Sequence, residues 1–438
     1  MSRPSPAALA LALAVPFVFL HPVYQLSVTA GPLTADLSDF AIFAAVVAAL
    51  ADGLRNGFAP LRGNRAVWIP LLLFGLLIVA SLAWARRFDP SYSLRDHLIS
   101  AAKFVEYMLL AAAAPLALRR AEDRRVFLWA VLAWSAFLSL VAILQFLGLL
   151  HQFKGRRPET REPSYIGHHD LGGFSGAALS VGFAAILLGL HRRLGRLGLL
   201  SGAFGIAIAA ALDSVGGMLL AAASAYTLAR RRGPLGWRRP LAVAGVCTLV
   251  ALGAVTLRGS AIKDFLRFLG VRPETKAQAD QIQTYAQRTV LIYIGAQIFV
   301  HHPLLGVGWQ ESREPRAFEP YLAGARARFP KAAPASFPSR QHLWGVQNGL
   351  VQTLSDLGVV GGAVLAALLL ATVRLLVAVS GRGPPELAWW AIAVTGFLIF
   401  ALAVFTGSGL LPGLPVDALL WLAVGLAVSL HNSLTPAE

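Results

Sequence analysis

The sequence predicts an all-α integral membrane protein. Three observations carry that prediction. Of 438 residues, 56% are hydrophobic and only 14% are charged, where a soluble chain has about a quarter charged. Apolar runs long enough to cross hydrocarbon recur along almost the whole length. Arginines gather in the turns between alternate runs, the pattern of turns retained in the cytoplasm. Those turns account for most of the net charge of +16. No block interleaves basic and aromatic side chains as a nucleic-acid surface would, so the expected surroundings are membrane lipids and not nucleic acid. The single cysteine, Cys247, lies inside an apolar run, so no disulfide framework forms within the chain.

The first run, Ala7–Leu26, reads as a retained span although Val28-Thr29-Ala30 resembles a cleavage site. Spans follow at Leu37–Leu54, Val67–Ala85, Leu98–Leu118, Val126–Leu150 and Gly172–Leu190. Within the fourth, Lys103 and Glu106 share a helix face and are expected to pair. Spans seven (Leu197–Leu212) and eight (Gly217–Ala229) are expected to meet at a tight Asp213-Ser214-Val215-Gly216 turn. Span nine is Leu241–Leu257, and the last three are Gly358–Ser380, Leu387–Thr406 and Val416–Leu430. About twelve spans leave both termini in the cytoplasm. They also put the arginine-rich turns at 55–65, 119–125, 192–196 and 230–239 on one side. The chain thus divides into residues 1–257 with nine spans, a large outer loop at 258–357, and residues 358–438 with three spans.

The three long polar segments, 85–97, 151–171 and 258–357, fall on the outer side and carry many arginines. Long loops translocate regardless of charge, yet three converging basic loops point to an anionic ligand. Inside the largest, Thr289–Val300 is apolar but too short to span, which suits a re-entrant helix. His301-His302-Pro303 ends it. A second helix is expected from near Trp344, with Val346, Leu350, Leu354 and Leu357 on one face. Asn348, Gln352 and Ser355 fall on the other, so it reads as an amphipathic helix on the membrane surface.

Two segments of this region carry a resemblance. Arg288 to Gly308 reads R-x(12)-HHPLLGVG, and Gln347 to Gly361 reads QN-x(9)-GVVG. With the span plan, they resemble the signatures of the O-antigen ligase and polymerase superfamily. The resemblance implies a GT-C-like glycosyltransferase of the bacterial inner membrane with its active site on the periplasmic face. The donor would be a glycan on undecaprenyl pyrophosphate, and the acceptor lipid A–core or another hydroxyl. Ligation of O-antigen leads. A polysaccharide polymerase and a protein O-oligosaccharyltransferase are alternatives within the same superfamily. The resemblance also implies arginines holding the pyrophosphate, with no metal and no cofactor. The chain departs from the pattern twice. Gln347 stands where the family has a histidine, and Ser214-Val215 stands where it often has Ser-Arg.

Transfer from a lipid pyrophosphate needs charge stabilisation for the leaving diphosphate and a base for the acceptor hydroxyl. Arginine forks supply the first. Arg288 leads, because it opens a helix where backbone amides also favour an anion. A merely solvated arginine is disfavoured at that end of the dipole. Arg157, Arg161 and Arg340 are candidates for the arginine missing after span seven. For the base, glutamine fails near neutral pH, so His342 is the nearest substitute in sequence. Its bland reading is an interfacial ring beside Trp344. His168-His169-Asp170 forms a second polar cluster, in which His169 serves as base or, with His168 and Asp170, positions the acceptor. No third ligand at zinc spacing accompanies it. Asn348 and Gln347 are read as orienting loop or substrate. Two other classes compete: an anion transporter, for which Lys103 and Glu106 are the intramembrane charges, and an inactive scaffold in an envelope-assembly complex.

Overall fold

Helices account for nearly all the secondary structure, because a backbone surrounded by hydrocarbon must satisfy its polar groups within each segment. The computed structural model describes residues 3–30, 33–150, 163–268, 284–409 and 415–434. The helices are α1 (Pro6–Val18), α2 (Leu37–Asn56), α3 (Arg65–Phe88), α4 (Leu94–Ala117), α5 (Ala121–Phe146), α6 (His168–Leu188) and α7 (Arg192–Ala209). They continue with α8 (Leu212–Arg230), α9 (Arg238–Phe268), α10 (Thr284–His301), α11 (Pro315–Arg328), α12 (Gly349–Arg382), α13 (Pro385–Phe405) and α14 (Pro415–Asn432). One antiparallel hairpin, β1 (Ser27–Ala30) and β2 (Leu33–Asp36), joins α1 to α2.

Ten of the described helices are long and apolar enough to cross a membrane. The sequence predicts about twelve; the other two expected spans fall on α1 and α7, which are not among the ten. α1 stops at Val18, well before Leu26, because His21-Pro22 ends it and Trp134 Nε1 donates to the Phe19 carbonyl at 2.9 Å. α7 carries Arg192, Arg193 and Arg196 near its start. The chain reverses before α8 at Ala210, in a left-handed conformation, so Asp213 to Gly216 already belong to α8 and are not the expected turn.

α6, α13 and α14 form the buried middle of the bundle. α7 lies close against α6, where a Cβ at Gly198 or Gly202 would run into α6 backbone. Small residues permit that approach where no hydrophobic force separates helix from lipid.

The two ends of the bundle differ. At one end the arginine-rich turns meet both terminal segments. Arg119 reaches the carbonyls of Asn56 and Gly57, Arg124 reaches Ser433 Oγ, and Ser5 donates its amide to Asp123. Also at this end, Arg232 and Arg239 close onto the carbonyls of Ser380, Gly383 and Leu187. The opposite end holds α10, α11 and the starts of α6, α8, α12 and α14.

Lys103 does not pair with Glu106. Its ammonium lies 2.8 Å from Asp36 and 3.2 Å from Asp39, because those two carboxylates at the start of α2 together outbid one neighbour on its own helix. The expected surface helix is also absent in that form. Residues from Gly349 run straight into α12, and Gln352, Ser355 and Asp356 are buried rather than solvated. α12 breaks at Gly358 (φ 65°, ψ −165°). A break at this depth leaves backbone groups that need partners. The segment 303–308 supplies them. Val359 N donates to Pro303 O at 2.7 Å, Val307 N to Ser355 O at 2.9 Å, and Gly308 N to Asp356 O at 2.8 Å. The Asp356 carboxylate accepts from the amides of Gln310 and Ser312 and from Gln352 Nε2, at 3.1 to 3.2 Å. The Leu304 carbonyl occupies the space of a Cβ on Gly358, and Asp356 backbone that of a Cβ on Gly306. The motif glycines therefore serve close backbone packing between the two signature segments.

Candidate functional site

Several helix starts converge at the end away from the arginine-rich turns. His169 sits in the first turn of α6, Asp213 in the first turn of α8, and Arg288 in the second turn of α10. Gln347 precedes Asn348, the N-cap of α12. Asp170, also at the start of α6, accepts the Val416 amide at the start of α14 at 3.1 Å. Residues at or near the starts of five helices thus contact one another, and helix N-termini carry partial positive charge.

The side chains there form a short relay. His169 Nδ1 lies 2.5 Å from Asp213 Oδ2, and His169 Nε2 lies 2.6 Å from an Arg288 terminal nitrogen. Arg288 Nε donates to Gln347 Oε1 at 3.2 Å. Arginine has donors only, so it fixes the tautomer: Nε2 accepts, and Nδ1–H donates to Asp213. A carboxylate holding an imidazole this way orients it and stabilises the imidazolium that forms when it takes a proton. Asp213 is braced by the Ser214 amide at 2.7 Å. The Asp213 side chain is 7% exposed and that of His169 is 20%, so the carboxylate is shielded and the ring edge is reachable. Gly407, just past α13, lies against this pair, and a Cβ there would meet His169 Nδ1 at 3.3 Å.

The expected site residues divide. His169, Arg288 and Gln347 come together. Asn348 joins as a structural cap: its Oδ1 accepts from Leu350 N and Val351 N, and its Nδ2 reaches the Thr406 carbonyl at 3.2 Å. That ties the start of α12 to the end of α13. His168 is buried, at 4% exposure. Asp170 clamps α14. Arg340 is exposed on the loop after α11 and forms a fork with Glu319 at 2.7 and 3.1 Å. That fork holds the Glu319 carboxyl below its ordinary range. His342 is exposed, its ring stacked on Trp344 at 5.9 Å, and its amide closes a turn on Ser339. Arg157 and Arg161 lie outside the described residues. His301 and His302 close α10, with His302 edge-on to Phe88 at 5.3 Å.

Sequence reasoning missed Asp213 as a functional side chain. The available signal was an acid at the mouth of a run otherwise free of charge. Among the described residues no group of three His, Cys, Asp or Glu side chains is placed to hold a metal ion. No protein-family model matches the chain, and no curated protein matches it. The superfamily resemblance therefore stands on its motifs.

Proposed function

We propose that the protein transfers a glycan from undecaprenyl pyrophosphate to an acceptor hydroxyl. The observation that carries this reading is the Asp213–His169–Arg288 relay, set among residues at or near the starts of five helices. A diphosphate is attracted by the Arg288 guanidinium and by the partial positive charge of the helix starts around it. As Arg288 turns to the diphosphate, His169 Nε2 loses its donor and is free to accept the proton of the acceptor hydroxyl. Asp213 keeps the ring in the Nδ1–H form and offsets the charge it gains. The hydroxyl oxygen attacks the anomeric carbon, and the bond to the diphosphate breaks with its electron pair leaving on the phosphate. His169 occupies the role left open by Gln347. It reaches Arg288 from α6, while Gln347 reaches the same arginine from the start of α12.

The lipid part has a matching surface. A trough of about 620 Å³ runs along α8 and α9, lined by Leu219, Ala222, Tyr226, Val243, Cys247 and Val255. Leu219 lies six residues along α8 from Asp213, or about 9 Å, so an isoprenoid tail in the trough would place its head group near the relay. In this reading α1 and α7 complete twelve crossings. The arginine-rich end is cytoplasmic, and the relay opens to the periplasm of the inner membrane. Lipid A–core is the leading acceptor, ahead of a second glycan repeat or a protein hydroxyl.

Binding of fluorescent undecaprenyl pyrophosphate to purified protein tests the donor site. Wild type should bind, and Arg288→Ala should weaken binding at least tenfold. Equal affinity in both would remove the arginine clamp. The break in α12 favours a second reading, since anion transporters place broken helices at the binding site. Accumulation of labelled anion in proteoliposomes, lost in Lys103→Met, would favour that class instead.

A further inference from the structure

Behind the relay lies a carboxyl that the transfer chemistry does not use. Asp417, in the first turn of α14, has 0% exposure. Among the described residues neither of its carboxyl oxygens has a hydrogen-bond partner. Its electrostatic neighbours are another acid and a phenol. Asp170 on α6 acts on Asp417, and Asp417 acts on Tyr107 of α4, which is itself fully buried. Asp170 in turn feels Asp213 on α8. Among the described residues no cation acts on this group, and the guanidinium of the relay, Arg288, is engaged by His169 and Gln347.

An ionised carboxylate with no donor, out of water and beside a second acid, is strongly disfavoured. The partial charge of one helix start does not offset that. We propose that Asp417 holds a proton in the resting protein, and that this neutral acid keeps His169 a free base. The geometry makes the consequence specific. His169 stands between Arg288 and Asp213, Asp170 acts on Asp213, and Asp417 acts with Asp170 in turn. One more anion in that line would favour the imidazolium and leave no lone pair for the acceptor hydroxyl. Among the described residues Asp417 makes no hydrogen bond to the ring, so it is a positioning residue acting through charge.

The first test needs no turnover. Infrared difference spectra between wild type and Asp417→Asn, recorded on purified protein, should show a protonated carboxyl band in wild type that shifts in deuterium oxide. The band should persist between about pH 6 and pH 8. A carboxylate band in its place overturns the proposal. If Asp417→Asn fails to fold, pH titration of the wild-type carboxyl band, with Asp417→Ser as the subtraction partner, gives the same answer.

The second test rests on the transferase reading. The acid limb of the pH–rate profile should not move in Asp417→Asn, which replaces one neutral group by another. It should move down in Asp213→Asn, which removes the anion that contacts His169. A downward shift in Asp417→Asn would mean that Asp417 is ionised, and would overturn the proposal. A protein with the infrared band but no transfer to any acceptor would instead sink the transferase reading and leave the protonated acid in place.

Discussion

The clasp between residues 303–312 and the broken part of α12 differs sharply from the relay on the opening turns of α6, α8 and α10. Both are polar and both sit at the same end of the bundle. In the clasp, partners are internal and fixed: backbone amides meet backbone carbonyls, Asp356 takes several donors, and Trp309 is fully buried with its indole N–H on Ser100 at 2.8 Å. In the relay the contacts run between side chains, Asp213 to His169 to Arg288 to Gln347, and the His169 side chain keeps 20% of its surface exposed. Arg288 and His169 each have a bond that an arriving anion or hydroxyl can replace. The difference separates construction from chemistry. The signature glycines lock two chain segments together. The charged side chains are held at the rim of that lock and remain free to exchange partners.

The comparison breaks most visibly at Gly358. Its φ of 65° and the Leu304 carbonyl against it leave no room for a side chain. Gly358→Ala should cost about 3 kcal/mol or more and largely abolish folded protein in detergent, read by thermal unfolding or monodispersity. Arg288→Ala should do the reverse: thermal stability nearly kept and transfer lowered by at least about a hundredfold. His169→Ala should lower the rate by about a hundredfold to ten-thousandfold. Asp213→Asn should fall in the same direction, since an amide no longer fixes the Nδ1–H tautomer. A stable Gly358→Ala protein, or an unfolded Arg288→Ala one, would erase the distinction between the regions.

A smaller effect comes from Glu311, at the edge of the clasp. It is fully buried, with neither carboxyl oxygen partnered among the described residues. Burial first, then the charges of Asp89, Glu314 and Asp356, push its carboxyl from 4.5 up to about 9. The folded state therefore holds this proton more tightly than the unfolded chain does. Its contribution is full below about 4.5 and is lost as pH rises toward about 9. The melting temperature should fall over that window, and Glu311→Gln should flatten the fall. The smallest effects belong to the loop. His342→Ala should change transfer by less than about threefold, in keeping with a surface site. Arg340→Ala should change it little as well, because its fork with Glu319 is exposed.

Much of the fold was legible because hydrocarbon leaves the backbone few options. The positions of most helices follow from apolar length alone. Arg288 and His169 were legible as chemistry-bearing residues, one from its place at a helix start and one from its neighbours. Their partnership was not. Asp213 is 44 residues from His169, and Arg288 is 119, and no local pattern joins them. His342 drew attention through nearness in sequence to Gln347, but a turn on Ser339 holds it on the exposed loop. The clasp was hidden for another reason. It is built from backbone amides and carbonyls, which every residue has, so only the glycines hint at it. Lys103 misled because helix spacing favoured Glu106, while Asp36 and Asp39 arrive from a different helix.

The most direct test is reconstituted transfer. Purified protein in lipid vesicles would receive an undecaprenyl-pyrophosphate-linked oligosaccharide with lipid A–core, free repeat unit or a protein acceptor. Wild type should glycosylate one of these acceptors at the same rate with and without EDTA, and both Arg288→Ala and His169→Ala should fail. Transfer that survives in both variants would contradict the relay. Absence of product on every acceptor, with folded protein that binds no lipid pyrophosphate, would contradict the assignment itself.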